Sequence, residues 1–264
     1  MLNNHLDNLA VLIPSHDKFS DTWPYFFKLF FKYWPEVSQT VYLLSNAERY
    51  ADPRIVPILV GEEISWSHNI QIALQTIPED YVLIILEDFP LTGPVDQNLL
   101  QELFQLMKAE QAGYLRLMAN PPPDRPCLNH QNIGFIEKGS NYRTSLQVAI
   151  WKKSFLNEIL VPGESPWQFE LQGTKRSNGF DVAMMSIDKD SPQPIPYFPN
   201  AIVRGVWVKE AREYLEREGM IFDSTRALES DYQLWLRSNW FRKKISKYIV
   251  QPLKKNALLE KING

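Results

Sequence analysis

The chemistry this chain can do is announced by two neighbouring carboxylates. Tyr81-Val82-Leu83-Ile84-Ile85-Leu86 is an unbroken apolar run, and it delivers the chain directly into Glu87-Asp88-Phe89. Such a run reads as a strand buried on both faces, as in a central parallel sheet. Two anions at a strand end, with no basic residue within several positions, are costly unless a cation joins them. Hard oxygen donors suit magnesium or manganese, and such an ion usually grips a diphosphate as well. The competing reading is a solvated acidic turn.

A second acidic group lies in Glu164-Ser165-Pro166-Trp167-Gln168-Phe169-Glu170. Pro166 suits the first turn of a helix. Glu170 then lies one turn along and Glu164 sits at the helix mouth. Either carboxylate can face a pocket while the other caps the helix. Gln147 is read as a hydrogen-bonding group for a sugar or as a buried amide satisfied by backbone. Arg204, beside Gly205, is read as a phosphate contact or as a surface arginine.

These residues need a scaffold. Leu9–Pro14 reads as a buried strand, 40–44 as a second, and 55–60 as a third placed at an edge by Pro57. A helix rich in aromatics is expected over 22–34, capped by Ser20 or Asp21. Its eight aromatics cannot share one face, so core packing plus a partner surface is expected. Another helix begins at Ser65 or Ser67 and runs to Ile77, and a third spans 96–111. Further strands are expected at 114–118 and 144–151, with a helix near 152–160. The proline-rich stretch 120–126 is expected to be loop.

Alternating strands and helices predict an α/β fold with a mainly parallel central sheet flanked by helices and right-handed crossovers. Ligands of such sheets sit beyond the carboxyl ends of the strands. That singles out Ser15-His16-Asp17, Ser45-Asn46, Glu62-Glu63 and Glu87-Asp88.

Composition narrows the classes. The chain has 264 residues, 28 Lys+Arg, 31 Asp+Glu and one cysteine. Cys127 alone builds neither a disulfide framework nor a multi-cysteine zinc site. No Gly-x₄-Gly-Lys-Ser/Thr, Gly-x-Ser-x-Gly or strand-linked Gly-x-Gly-x-x-Gly occurs. No apolar run reaches membrane-span length and the N-terminus lacks a signal-peptide pattern, so a cytoplasmic protein is expected.

The net charge of −3 hides an asymmetry. From residue 237 onward eight cationic residues face only Glu260, a local charge of +7, which leaves −10 on the rest. An acidic body argues against nucleic-acid partners. The stretch 235–264 interleaves Trp235, Trp240, Phe241, Ile245, Tyr248 and Ile249 with lysines and arginines. That pattern suits either an interfacial helix on anionic lipid, a peripheral contact with the inner membrane face, or a terminal helix packed on the acidic body.

Taken together, the Glu-Asp-Phe strand end, the opening Val11-Leu12-Ile13-Pro14-Ser15-His16 and Ser65-Trp66-Ser67-His68-Asn69 before a helix resemble GT-A-type glycosyltransferases. The resemblance covers roughly residues 9–205, and departs in having Glu-Asp-Phe where that family has Asp-x-Asp. It implies a GT-A-like domain over 1–234, with a donor half to about 120, a mixed acceptor half over 121–234, and a basic helical tail over 235–264.

By similarity, Asp88 and Glu87 hold a manganese or magnesium ion on the diphosphate of a nucleotide-sugar. Pro14, Ser15, Ser45, Asn46, Asn69, Glu87 and Arg204 approach the donor. Glu170, or else Glu164, is the catalytic base that takes the proton of an acceptor hydroxyl. The implied activity is sugar transfer to a glycan or lipid-linked acceptor, as in polysaccharide biosynthesis, with inversion. Two alternatives stand beside it. One is a non-catalytic nucleotide-sugar or glycan-binding protein on the same fold. The other is a nucleotidyltransferase, ranked last because Ser15-His16-Asp17-Lys18 lacks the expected glycines.

Overall fold

The computed structural model describes residues 6–128, 130–235 and 237. The chain divides into two compact units, Met1–Pro199 and Asn200–Gly264. The expected cut at 234/235 thus falls inside the second unit. Most of the expected 235–264 tail lies outside the described residues. Among the described residues, no helix is long and apolar enough to cross a membrane.

The first unit is built in chain order from β1 (Leu9–Pro14), a short 3-10 turn (Asp17–Thr22), α1 (Trp23–Tyr33), β2 (Val41–Ser45), β3 (Ile55–Leu59), α2 (Trp66–Thr76) and β4 (Tyr81–Ile84). There follow α3 (Gln97–Ala109), β5 (Tyr114–Arg116), β6 (Arg125–Pro126), β7 (Ile133–Phe135), β8 (Ala149–Lys152), α4 (Lys153–Ile159), α5 (Pro166–Ser177) and β9 (Met184–Ile187). One sheet runs in the order β3-β2-β1-β4-β8-β5-β9-β7-β6. β1 to β4 are mutually parallel, β8 runs antiparallel between β4 and β5, and β5 pairs parallel with β9. The parallel half and mixed second half are the α/β architecture expected.

Side-chain alternation along the strands splits the core into two layers. Leu9, Val11, Ile13, Leu83 and Ile85 face α1 and α3. Ala10, Leu12, Val82 and Ile84 face α2, α4 and α5. Pro57 does mark an edge, since β3 is the outermost strand at that side.

Several expectations about elements are corrected. The strand expected over 144–151 begins only at Ala149, because 144–148 is held in irregular form by side chains described below. The 120–126 stretch does contribute a strand, β6. It lies at the outer edge of the sheet, where the missing N–H of Pro126 leaves no ladder bond unmade. β7 and β9, which sequence patterning missed, are three and four residues long.

The helix at 22–34 is capped by neither Ser20 nor Asp21. A 3-10 turn, itself capped by the His16 side chain, leads into α1 with Pro24 in its first turn. The aromatics of α1 need no partner surface. Trp23, Tyr25, Phe26, Phe27, Phe30, Phe31 and the following Trp34 are all buried. Phe27 stacks on Tyr50 and the Arg54 guanidinium lies 3.5 Å from the Phe31 ring centroid, so the loop after β2 covers that side.

The second unit contains a small hairpin, β10 (Ile202–Val203) with β11 (Val206–Trp207), and α6 (Lys209–Arg217). Glu229 accepts from the Lys209 backbone and from Arg237, so Arg237 and the start of α6 share one carboxylate.

Candidate functional site

The parallel strands β1 to β4 all end at one edge of the sheet, and loops there are stitched together by polar side chains. The Asp17 carboxylate accepts from the backbone N–H groups of Asn46 (3.0 Å), Ala47 (3.0 Å) and Glu48 (3.3 Å). Asn46 donates its side-chain amide to the Gly61 carbonyl and accepts from the Asp17 N–H. The loops after β1, β2 and β3 are thereby one rigid piece. Ser45, fully buried, donates to the Glu48 carbonyl, and Ser15 accepts from the Trp23 indole. His16 Nδ1 accepts from the Lys18 N–H, so its other nitrogen carries the proton directed at Glu63, 3.0 Å away.

Glu87 and Asp88 follow β4 in a turn closed by the Phe89 N–H on the Leu86 carbonyl, and both are half-buried. Phe89 is buried and its ring stacks on Tyr197, 5.0 Å between centroids. The Tyr197 hydroxyl donates to Gln147 Oε1 at 2.6 Å and lies 3.0 Å from the Met118 sulfur. Burial pushes the Tyr197 phenol well up from its ordinary value. Gln147 is therefore satisfied by a tyrosine, which neither sequence reading anticipated.

The second carboxylate group is positioned by α5. Ser165 and Gln168 form a reciprocal capping box, with Pro166 in the first turn. The start of α5 is bonded to the start of α2. Ser67 Oγ accepts from the Glu164 N–H, Ser65 Oγ from the Gly163 N–H, and the Ser67 N–H donates to the Glu164 carbonyl. Both oxygens of Glu164 are taken by Arg176, at 2.7 and 2.6 Å.

Glu170 is held differently. One oxygen accepts from the Leu146 N–H at 2.8 Å and from Ser145 Oγ at 3.3 Å. Those residues enter β8, which pairs antiparallel with β4 so that Ala149 faces Ile84. The segment entering β8 thus runs beside the segment leaving β4, and brings Glu170 to the same sheet edge as Glu87 and Asp88.

Asn69 lies in the first turn of α2, 5% exposed, with its Oδ1 lacking any hydrogen-bond partner. An orphaned buried amide at a sheet's carboxyl edge fits a donor-binding role. Pro14 is the buried last residue of β1. Arg204 belongs to the second unit, exposed at the tip of the β10–β11 hairpin. Its φ of 52°, with 80° at Gly205, is the two-residue turn that hairpins favour.

Sequence reasoning missed Arg116. It ends β5, is fully buried, and donates to the Tyr142 carbonyl at 3.0 Å and to Ser186 Oγ at 3.4 Å, while its Nη2 has no partner. Beside it Tyr114 is also fully buried and donates to the Ser145 carbonyl. Burial pushes the Tyr114 phenol up to about 12, against the opposing pull of Arg116. A lone cation inside the apolar run Tyr114-Leu115-Arg116-Leu117-Met118 was the available signal.

Among the described residues, no group of three or more His, Cys, Asp or Glu side chains is gathered for a metal. An all-protein cage is thus not present there. The fit is instead to a hard cation that takes one or two carboxylates and completes its shell with phosphate oxygens and water. Glu87 and Asp88 are carboxylates of that kind and would supply the protein's share of such a donor set.

No family model matches the chain, and no curated protein matches it. Solved structures do. Residues 1–349 of TarS from S. aureus align with a TM-score of 0.46 and 12% identity over 72% of this chain and 59% of that one. The 2-C-methyl-D-erythritol 4-phosphate cytidylyltransferase of Thermus thermophilus aligns with a TM-score of 0.46 and 10% identity over 80% of this chain and 98% of that one. A cytidylyltransferase from Leptospira borgpetersenii gives 0.42 and 12% over 70% and 78%. The chain spans about three-fifths of the TarS fragment.

Proposed function

We propose that this chain is a metal-assisted glycosyltransferase that moves a sugar from a nucleotide-sugar to an acceptor hydroxyl with inversion. The observation that carries the reading is that Glu170, on α5, is bonded to the segment entering β8, which adjoins the segment leaving β4 into Glu87-Asp88. The first pair suits a cation–diphosphate unit and the last suits a proton acceptor.

Glu87 and Asp88 hold the cation, which when bound neutralises charge building on the departing diphosphate. Asn69, Ser15 and the Asp17–Asn46 loop lattice line the donor side, and the lattice keeps those loops from rearranging as the nucleotide enters. Glu170 accepts the acceptor proton. The acceptor oxygen forms its bond to the anomeric carbon on the face opposite the breaking carbon–oxygen bond to diphosphate, so configuration inverts. Glu170 is preferred to Glu164 because Arg176 already occupies both oxygens of Glu164.

A thermal-shift screen of UDP, GDP, CMP and their sugars, with and without manganese, tests the donor site. A native-state ligand raises the melting temperature by mass action. One nucleoside diphosphate should give a manganese-dependent rise that D88A abolishes. No shift with any nucleotide refutes the donor site. A shift without turnover on any acceptor supports the non-catalytic alternative.

A further inference from the structure

Tyr114 of β5 is fully buried, and the proposed transfer step does not use it. Its ring packs on Trp151 of β8, 4.2 Å between centroids, so the core fixes its place. The ring of a phenylalanine would fill the same space. A buried hydroxyl is unfavourable unless it finds a partner, and this one donates to the Ser145 carbonyl at 2.9 Å.

The other side of the same peptide group is taken as well. The Leu146 N–H, which belongs to the Ser145–Leu146 peptide, donates to Glu170 Oε1 at 2.8 Å. That peptide is trans, so its C=O and N–H point opposite ways, one to Tyr114 and the other to Glu170. It lies before Ala149, where the ladder begins, and side chains hold it at both ends. Ser145 adds its Oγ to the same carboxylate oxygen at 3.3 Å.

A donor on a carbonyl polarises the peptide and makes its N–H a stronger donor. A stronger donor favours the charged form of the carboxylate it bonds. Tyr114 keeps its proton for this bond, because burial pushes the phenol up to about 12. The charged and titratable groups facing it are Arg116 on its own strand, Glu170 of α5 and Tyr197.

We infer that Tyr114 is a positioning residue for Glu170, acting through the Ser145–Leu146 peptide to aim the carboxylate and keep it ionised. The inference rests on the reading of Glu170 as the base and adds the residue that prepares it.

Ser145-Leu146 is the one Ser-Leu pair in the sequence. Stable-isotope labelling of serine carbonyls and leucine amides therefore gives a single coupled NMR signal, that of this peptide. In the native chain the signal should titrate in the acid range as Glu170 takes a proton. E170Q should abolish that titration, and Y114F should raise its midpoint by about half a unit. In transfer assays Y114F should lower kcat about tenfold, leave the donor KM unchanged, and move the acid limb of the kcat profile upward with the NMR midpoint. In an E170Q background Y114F should cost no further rate, because it acts only through that carboxylate.

A midpoint that Y114F leaves in place overturns the inference. An equal loss of rate with and without Glu170 also overturns it, and marks Tyr114 as filling the core only. Full transfer by E170Q removes the base assignment, and the positioning role goes with it. The NMR measurement needs neither substrate nor turnover, so it separates failure of the coupling from failure of the transferase reading.

Discussion

Two carboxylates compete for the role of base, and their surroundings predict opposite consequences for the same substitution. Glu164→Gln removes a charge that both arms of Arg176 grip at 2.6 and 2.7 Å. The two side chains are 13% and 27% exposed, intermediate between a surface pair and a buried one. Exposed pairs contribute about 0–1 kcal/mol and breaking a fully buried one costs about 3–5, so about 2 kcal/mol is expected here. For a unit of this size that is a fall in Tm of about 4–8 °C. Transfer rate should change little.

Glu170→Gln retains an oxygen able to accept from Leu146 and Ser145, so stability should fall by less than ~1 kcal/mol. Loss of a general base should lower kcat by about 10²–10⁴. Guanidinium denaturation and initial-rate transfer assays with the donor found in the nucleotide screen separate the cases. A slow but fully stable E164Q protein, with an active E170Q one, would refute the assignment and reverse the two roles.

The remaining predictions concern the frame of the site. Asp17→Ala strips the acceptor from three backbone N–H groups at partly exposed loops and should cost about 2 kcal/mol. Nucleotide affinity should fall with it, whereas the same nucleotide titration on a variant of the exposed Asp52–Arg54 pair should be unchanged. Tyr114 gives a pH signature. Its folded pKa of about 12 lies above the unfolded value of 10.0, so its contribution is level below pH 10 and is lost as pH rises toward 12. The two-unit difference amounts to about 2–3 kcal/mol across that window. Tm measured from about pH 9 to 11.5 should fall more steeply for the native chain than for Y114F; equal slopes would contradict the burial argument.

How much of this was legible in the sequence follows from which interactions make each element. β1, β2 and β4 are made by burial on both faces, so a run of apolar residues announces them, and the positions after them follow from topology alone. α2 and α5 are announced by Ser65 and by Ser165-Pro166, since caps are local chemistry. β7 and β9 are strands because the sheet gives them a neighbour, and three or four residues leave no period to read. The partners of the site carboxylates were equally hidden. Arg176 lies on the same helix whose mouth it closes, but Leu146 and Ser145 reach Glu170 across 24 and 25 residues of chain.

The failure at 144–148 is the informative one. Alternation in Leu146, Val148 and Ile150 is strand-like, yet the ladder starts only at Ala149. The residues before it have been claimed by side chains from elsewhere. Arg116 takes the Tyr142 carbonyl, Tyr114 takes the Ser145 carbonyl, and Glu170 takes the Leu146 N–H. Thr174 takes the Thr144 N–H and Tyr197 takes Gln147. Arg143, buried, spends its guanidinium on the carbonyls of Ile136 and Ser177. Leaving the two buried guanidinium groups without these oxygens would cost several kcal/mol of uncompensated desolvation. Strand propensity is worth at most about 1 kcal/mol across its whole scale, so it yields to such a network. Local rules are broken where side chains from β5, α5 and the loop before the second unit converge on one short segment, and that segment holds Glu170 at the edge where β4 ends.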